Sequence, residues 1–422
     1  MRSAQTSNRS RPLARVPHAS RLCATQSPAM PARGALLPLA LAAHVAAKTI
    51  SGDWIAVDVG SNTCRVTDYD SACAPNGAAD CTHAFQRALD DCSGGGEVLI
   101  PAPGTYLTFG VSTKTSVGLG INVERGARWL FNNDTAAWKS QPGQCIMLMG
   151  ANGVALYGGG VIDGNGAAWW PTPDAYRPGL LMVNGQQLLI TNLTFQDSPN
   201  HQLQLYADHA EVVDTHVLAP ESPASHNTDG ADVHASFHWY HRLNITTGDD
   251  NIAFHANHTL VNDNYFGTGH GTSIGSLGVG TFLFNITVRD CMFDGTTQAL
   301  RIKADCGSTG SLSGVTFGPN ISMTNVGQSI LVTAFYPSNG PGPCSGGRPS
   351  TLAVHNVTFT GITSRNAGQA GDLWCDKGTP CTGITFQDVV HTPSPKHSWS
   401  CQAFKGTAGH VTPALPAGCL GA

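Results

Sequence analysis

The chain first organises itself through its alternation of apolar and polar positions. "DCTHAFQRALDDCSGGG" has a helical period: Phe85 and Leu89 share a face, Asp80 or Thr82 can cap the start, and the glycines from Gly94 stop it. The pattern then changes to strand chemistry in "EVLIPAPGTYLTFGV". From there a loose unit recurs, with apolar and β-branched residues around an Asn or Asp: "LLITNLTF", "AEVVDTHV", "TLVNDNYF", "ITVRDCMF", "GPNISMTNV", "LAVHNVTFTGI", "GITFQDVV". Repetition at this irregular spacing indicates a solenoid, propeller or array. Each unit offers only two or three short strands where a propeller blade needs four, and Trp-Asp blade signatures are missing. The expected fold is therefore all-β: a single-stranded, right-handed parallel β-helix, its open first coil covered by the short N-terminal helix. A β-sandwich with long insertions is the competing architecture. In a β-helix, outward side chains of successive coils line up about 4.8 Å apart, so residues some twenty apart become neighbours.

Composition supports many short strands and turns, with 49 Gly and 25 Pro in 422 residues. A formal net charge of −5, with no basic run after Arg33, gives no footprint for nucleic acid. Six arginines precede any acid, and "RGALLPLALAAHVAAK" then presents a cation, an apolar run and small residues ending at Ala47. Residues 1–47 read as a leader carrying a secretory signal, with an organelle transit peptide as the alternative and Met30 as a second possible start. Residues 48–422 read as one catalytic β-helix domain. No later apolar run is long enough to span a bilayer.

Thirteen cysteines, twelve of them beyond the leader, lack CxxC metal spacing and suggest disulfides, with Cys375 and Cys381 able to close a short loop. Seven Asn-x-Ser/Thr sequons follow the leader. Both features fit an exported protein, placed outside the cell or in a cell wall.

Against this charge-poor background, polar residues gather in a few places: Asn227 and Asp229 in "SHNTDGADV", Asp249 and Asp250 in "TTGDDNIAF", His270 in "GTGHGTSIGS", Arg301 and Lys303 in "RIKAD", and Tyr336 in "AFYPSNG". Asp249 follows Asp229 by twenty residues and His270 follows Asp250 by twenty, one coil each. The interval from His270 to Arg301 is longer and requires an insertion. Taken singly, Asp229 is a turn residue, the Asp pair a loop or calcium set, His270 structural, and Arg301 with Lys303 a solvated strand face. Their order and spacing favour one patch. His201, His234, His238 and His241 read as structural or surface residues. Adjacent residues on a regular strand face opposite sides, so both Asp249 and Asp250 reach one cleft only if the backbone turns there, with Gly248 a helper.

"NTDG", "GDD", "GHG" with "SIGS", and "RIK", in that order, resemble the four signature motifs of the polygalacturonases, pectin-hydrolysing glycoside hydrolases. "GVIDGNGAAWW", "DSPNHQLQL" and the capped opening add to the resemblance, which runs from about Val66 past Tyr336. It implies a parallel β-helix and inverting hydrolysis of α-1,4-galacturonosyl bonds in pectin or polygalacturonate, with endo action preferred over exo. In that family's pattern Asp249 is the general acid, while Asp229 and Asp250 position and deprotonate water. Three close carboxylates cannot all ionise freely, and the precedent gives the retained proton to Asp249. His270 would tune protonation or hold substrate, and Arg301 and Lys303 would take a uronate carboxylate. Tyr336 would stack on a sugar and Asn227 would bond a hydroxyl. The chemistry asks for no cofactor and no metal, and the expected enzyme is a monomer with pectin as its partner. A calcium-dependent pectate lyase and a non-catalytic pectin-binding protein are the alternatives. The pattern's Cys after the Asp pair is Asn251 here, and its partner before Gly-His-Gly is also missing, so ladder bonds and packing must hold that coil.

Overall fold

In a computed structural model of the protein, the described residues are 48–140, 143–173, 176–337, 340, 344 and 347–421. The leader read at residues 1–47 lies outside them. Short strands pair in parallel with strands one coil away. Ala231–Val233 pairs with Ile252–Phe254, that strand with Thr272–Leu277, then Gln298–Asp305, then Gln328–Tyr336. A second face runs from His238–His241 through Thr259–Asn262 and Thr281–Arg289, and a third from Asn244–Thr246 through Tyr265–Phe266 and Met292–Asp294. Three parallel sheets wound from one strand per coil make a parallel β-helix. Among the described strands the exception is the antiparallel pair Lys48–Ser51 and Ala56–Val59, whose Val57 and Val59 pack outside the coils against Ala155 and Leu189.

Inward positions form columns. Phe195, Val217, Ile245, Phe266, Phe293 and Met323 are successive ladder partners, each almost wholly buried. The Phe266 and Phe293 rings stack with centroids 4.8 Å apart, the spacing of adjacent strands. Each such burial contributes on the order of 1.5–3 kcal/mol against exposure. The helix expected near residue 80 spans Thr82–Cys92, with Asp80 accepting a hydrogen bond from the Thr82 N–H at 2.9 Å. Its Phe85 seats on Trp129 at 4.8 Å and covers the first coils.

The recurrent Asn and Asp have a backbone cause. Asn192, Asp214, Asp263 and Asp290 follow ladder-paired strand ends and share φ between 50° and 55°. They turn a corner in the left-handed region that these residues tolerate best. Amide contacts add to this at some levels, as where Asn320 Nδ2 donates to Asp290 at 2.8 Å.

Among the described residues five disulfides close: Cys64–Cys92, Cys73–Cys81, Cys306–Cys344, Cys375–Cys381 and Cys401–Cys419. The even set of twelve does not pair completely, because Cys145 and Cys291 are buried free thiols.

Candidate active site

The acids stand where strands have not yet begun. Asp229 lies between a run of turns ending at Asn227 and the strand Ala231–Val233, and Asp249 and Asp250 occupy a bend between Asn244–Thr246 and Ile252–Phe254. The backbone therefore turns at the Asp pair, as both acids facing one cleft requires. Gly248 permits it, since a Cβ there would meet the Ser225 carbonyl oxygen at 2.1 Å. Gly269 and Gly271 have φ of +140° and +72°, and side chains there would strike Asn251 and the Gln298 carbonyl. That loop brings His270 Nδ1 to 2.9 Å from Asp249 Oδ1 and 3.9 Å from Asp250 Oδ1, while the His270 N–H donates to the Asp249 carbonyl at 2.7 Å. The 31-residue interval to Arg301 is taken up by the longer strands Thr272–Leu277 and Thr281–Arg289.

Asn251, where the family pattern has a cysteine, is fully buried and acts as a polar staple. Its Nδ2 donates to the Thr268 carbonyl at 3.1 Å, and its Oδ1 accepts the Gly271 N–H at 2.8 Å. One amide thus ties the Asp bend to the histidine loop.

The acids differ in surroundings. Asp250 is held by Lys303 Nζ at 2.7 Å, Arg301 Nη1 at 2.5 Å and Ser273 Oγ at 2.8 Å. Arg301 and Lys303 are 6% and 5% exposed, so in this state they face the Asp250 carboxylate. Asp249 is the most open of the three, its side chain 23% exposed against 10% for Asp229 and 3% for Asp250. Burial alone would raise its pKa, but the His270 hydrogen bond and charge, the Asp250 N–H and Lys303 together lower it to about 2. Asp229 goes the other way. Burial is the main cause, and Asp232, Asp249 and Asp250 add repulsion that His201 only partly offsets, so its carboxyl keeps its proton well above the usual range. Burial and repulsion thus favour a proton on Asp229 over Asp249, the reverse of the order that the family pattern implies. Tyr336 lies at the end of its strand with its ring 5.3 Å from Lys303 Nζ, and Asn227 occupies a left-handed turn two residues before Asp229.

Several residues at the site escaped the sequence reading. Asp232 and Ser273 flank Ala253 in an outward column that continues to Arg301. His201 hydrogen-bonds Asp232 and lies 3.9 Å from Asp229 Oδ1, so it belongs to the site and is not merely a structural histidine. Despite burial, Asp232 and Asp229 raise its pKa to about 9. His234 is also at the site, stacked between Tyr206 and His255. His238 and His241 are buried structural residues, bonded to Tyr240 and Glu211. The available signals were period-two spacing, which puts Asp232 and His234 on one face, and the "DSPNHQLQL" segment that carries His201.

Two triads, His201–Asp229–Asp232 and Asp249–Asp250–His270, each bring three donor atoms within 4.8 Å. Asp249, Asp250 and Asp232 are engaged by imidazoles, cations or a hydroxyl, whereas Asp229 Oδ1 is buried without a hydrogen-bond partner among the described residues.

The profile of the glycosyl hydrolases family 28 matches residues 92–412. An exopolygalacturonase of Cochliobolus carbonum is 28% identical over 380 residues, covering 80% of this chain and 84% of that protein. An endo-polygalacturonase of Pectobacterium carotovorum subsp. carotovorum is 28% identical over 350 residues, covering 73% and 81%. The solved polygalacturonase from Erwinia carotovora ssp. carotovora superposes with a TM-score of 0.68 at 24% identity, over 80% of this chain and 97% of that one.

Proposed function

The chain belongs to the glycosyl hydrolases family 28, and on that premise we propose that it hydrolyses α-1,4-galacturonosyl linkages of pectin or polygalacturonate, with inversion and within the polymer. The observation that carries the reading is the convergence of Asp229, Asp249 and Asp250 on His270 and His201, beside two cations. Hydrolysis needs one carboxyl to protonate the leaving oxygen and one carboxylate to take a proton from water. On the family pattern Asp249, the most open acid, protonates the leaving oxygen, with His270 Nδ1 beside it at 2.9 Å. Asp250, fixed by Arg301, Lys303 and Ser273, takes the proton of the attacking water, and Asp229 orients that water. A uronate carboxylate draws on the same two cations as substrate enters, Tyr336 gives a sugar a stacking face, and Asn227 reaches a hydroxyl. No step asks for a metal or other cofactor.

One observation favours a second assignment, in which the proton-bearing Asp229 is the acid and Asp249 the base. An aryl α-galacturonide with a good leaving group separates the two, because departure then needs no acid. Under the first assignment Asp249→Asn keeps most of its activity on that substrate while losing it on polygalacturonate; under the second, Asp229→Asn does so.

Endo action is supported by the position of the site. Coils continue on both sides of it, through Leu203–Val213 before and Gln369–Trp374 and His397–Gln402 after, so a polymer has surface in both directions. Relatives named for exo and for endo action are both found. Proton NMR of the first product gives the anomer, and a rapid viscosity fall per reducing end marks endo cleavage. Retained anomeric configuration, or monomer as the sole product, contradicts inversion or endo action respectively. The five disulfides support an extracellular location, and we assign residues 48–422 to one catalytic domain, acting as a monomer, behind a secretory leader. Nucleic acid and membrane have no place in this reading.

A further inference from the structure

A row of aromatic nitrogen bases beside the acids is left without work in the proposed reaction. Asp232 and Ala253 are ladder partners, so His234 and His255, each two residues further along, stand next to each other in adjacent coils. Their rings stack with centroids 5.1 Å apart and 7° between planes, and Tyr206 stacks on the other side of His234 at 4.2 Å and 3°. The equivalent position in the next coil is Gly275, where a Cβ would lie 2.3 Å from the Lys303 carbonyl oxygen, so no side chain separates His255 from the Lys303 coil. Two residues along a strand place this row about 6.6 Å from the Asp232 column, and His234 and His255 follow Asp229 and Asp250 by five residues each.

His234 and His255 are half-buried and line an open groove of about 320 Å³ with Ser236, Asn257, Leu277 and Phe282, at the small end of the range for ligand sites. Phe282 is 67% exposed and offers a ring face to that groove. Among the described residues no protein hydrogen bond is made by either imidazole, which leaves ring nitrogens for a ligand. The charged and titratable groups facing the pair are His201, Asp232, Asp250, Lys303 and Tyr206. For His234, burial favours the neutral ring, Asp232 opposes it and His201 supports it. For His255, burial and His234 favour the neutral ring, with Lys303 on the same side and Asp232 and Asp250 opposing. Both rings are therefore poised to take up a proton when an anion supplies the missing counter-charge.

We propose that Tyr206, His234 and His255 form a second carboxylate subsite, which binds a galacturonate unit other than the one being cleaved, with its sugar face against Phe282. The inference rests on the polygalacturonate reading and adds that tight binding is coupled to proton uptake from solvent. Substrate affinity should then fall as pH rises, through the imidazoles and independently of the three acids.

The test is KM for polygalacturonate between pH 5 and 8 in the wild type, His255→Gln and His255→Phe, the last keeping the stack without the nitrogens. The wild-type KM should rise about tenfold across this range, and both variants should start about tenfold higher at pH 5 and converge with wild type at pH 8, with the loss on KM more than kcat. Calorimetry of trigalacturonate binding to Asp249→Asn protein, in two buffers of different ionisation enthalpy, should show proton uptake near pH 6 that His234→Gln reduces. Cleavage by the wild type with superimposable KM curves for the variants, or binding without proton uptake, overturns the subsite. Failure of the wild type to cleave polygalacturonate overturns the activity reading instead.

Discussion

Asp249 and Asp250 are neighbours in sequence and are held by opposite means. Asp250 is buried under two cations and a hydroxyl, whereas Asp249 leans on one imidazole and stays open. Asp249→Asn should lower kcat on polygalacturonate by about 10²–10⁴-fold with little change in KM, measured by reducing-end release. Lys303→Met leaves a buried carboxylate with one cation fewer, at a cost on the order of 3–5 kcal/mol, so its melting temperature should drop clearly at pH 6. Asp229 has the reverse sign. Its folded pKa is raised, so folding takes up a proton there and stability falls as pH rises from about 4, the unfolded value, through the folded one. Asp229→Asn cannot ionise, so its melting temperature should exceed wild type at pH 7 and match it near pH 3.5. Asp249, lowered to about 2, adds stability above pH 4 that is lost as pH falls toward 2. An equal melting difference for Asp229→Asn at both pH values would contradict this pattern. The eight residues picked out by order and spacing are legible because they stand in motifs of uncommon residue types, which the proposed reaction would use. Asp232, His201, His234 and His255 were not, since pairing and stacking with partners a coil away leave only common residues in the sequence.

At the scale of the element, the coil carrying the Asp pair depends on a side-chain amide. Asn251→Ala removes bonds to the Thr268 carbonyl and the Gly271 N–H inside a buried turn; the Thr268 carbonyl keeps the Thr247 N–H, and the Gly271 N–H is left unpaired at about 1–3 kcal/mol. The variant should melt lower and lose kcat more than KM, because the loop it anchors carries His270; a variant with wild-type stability and activity would remove the staple from the account. The repeat that predicted the β-helix was visible as recurring Asn and Asp. Its cause was not, because left-handed corners are a property of the backbone that one chain's residue types only hint at. The missing cysteine was legible as a departure, whereas its replacement by hydrogen bonds required coordinates.

Across the whole molecule, four of the five bridges lie away from the chemistry. Cys64–Cys92 and Cys73–Cys81 staple the first coils and Cys375–Cys381 and Cys401–Cys419 the last, whereas Cys306–Cys344 borders the site, with the Cys306 N–H donating to the Tyr336 carbonyl at 3.1 Å. Asp229 to Arg301 is held by ladders, the Asn251 amide and the inward phenylalanine columns. Reduction should therefore lower the melting temperature and raise KM through Tyr336, while kcat at 25 °C largely survives; a parallel loss of kcat would place the bridges in the service of the acids. The most direct test of the central claim is product analysis on demethylated polygalacturonate, comparing wild type with Asp249→Asn, each with and without chelator. Saturated oligogalacturonates with new reducing ends, unaffected by chelator and absent with Asp249→Asn, are the predicted result. Unsaturated, ultraviolet-absorbing products that vanish in chelator, or undiminished cleavage by Asp249→Asn, would contradict it.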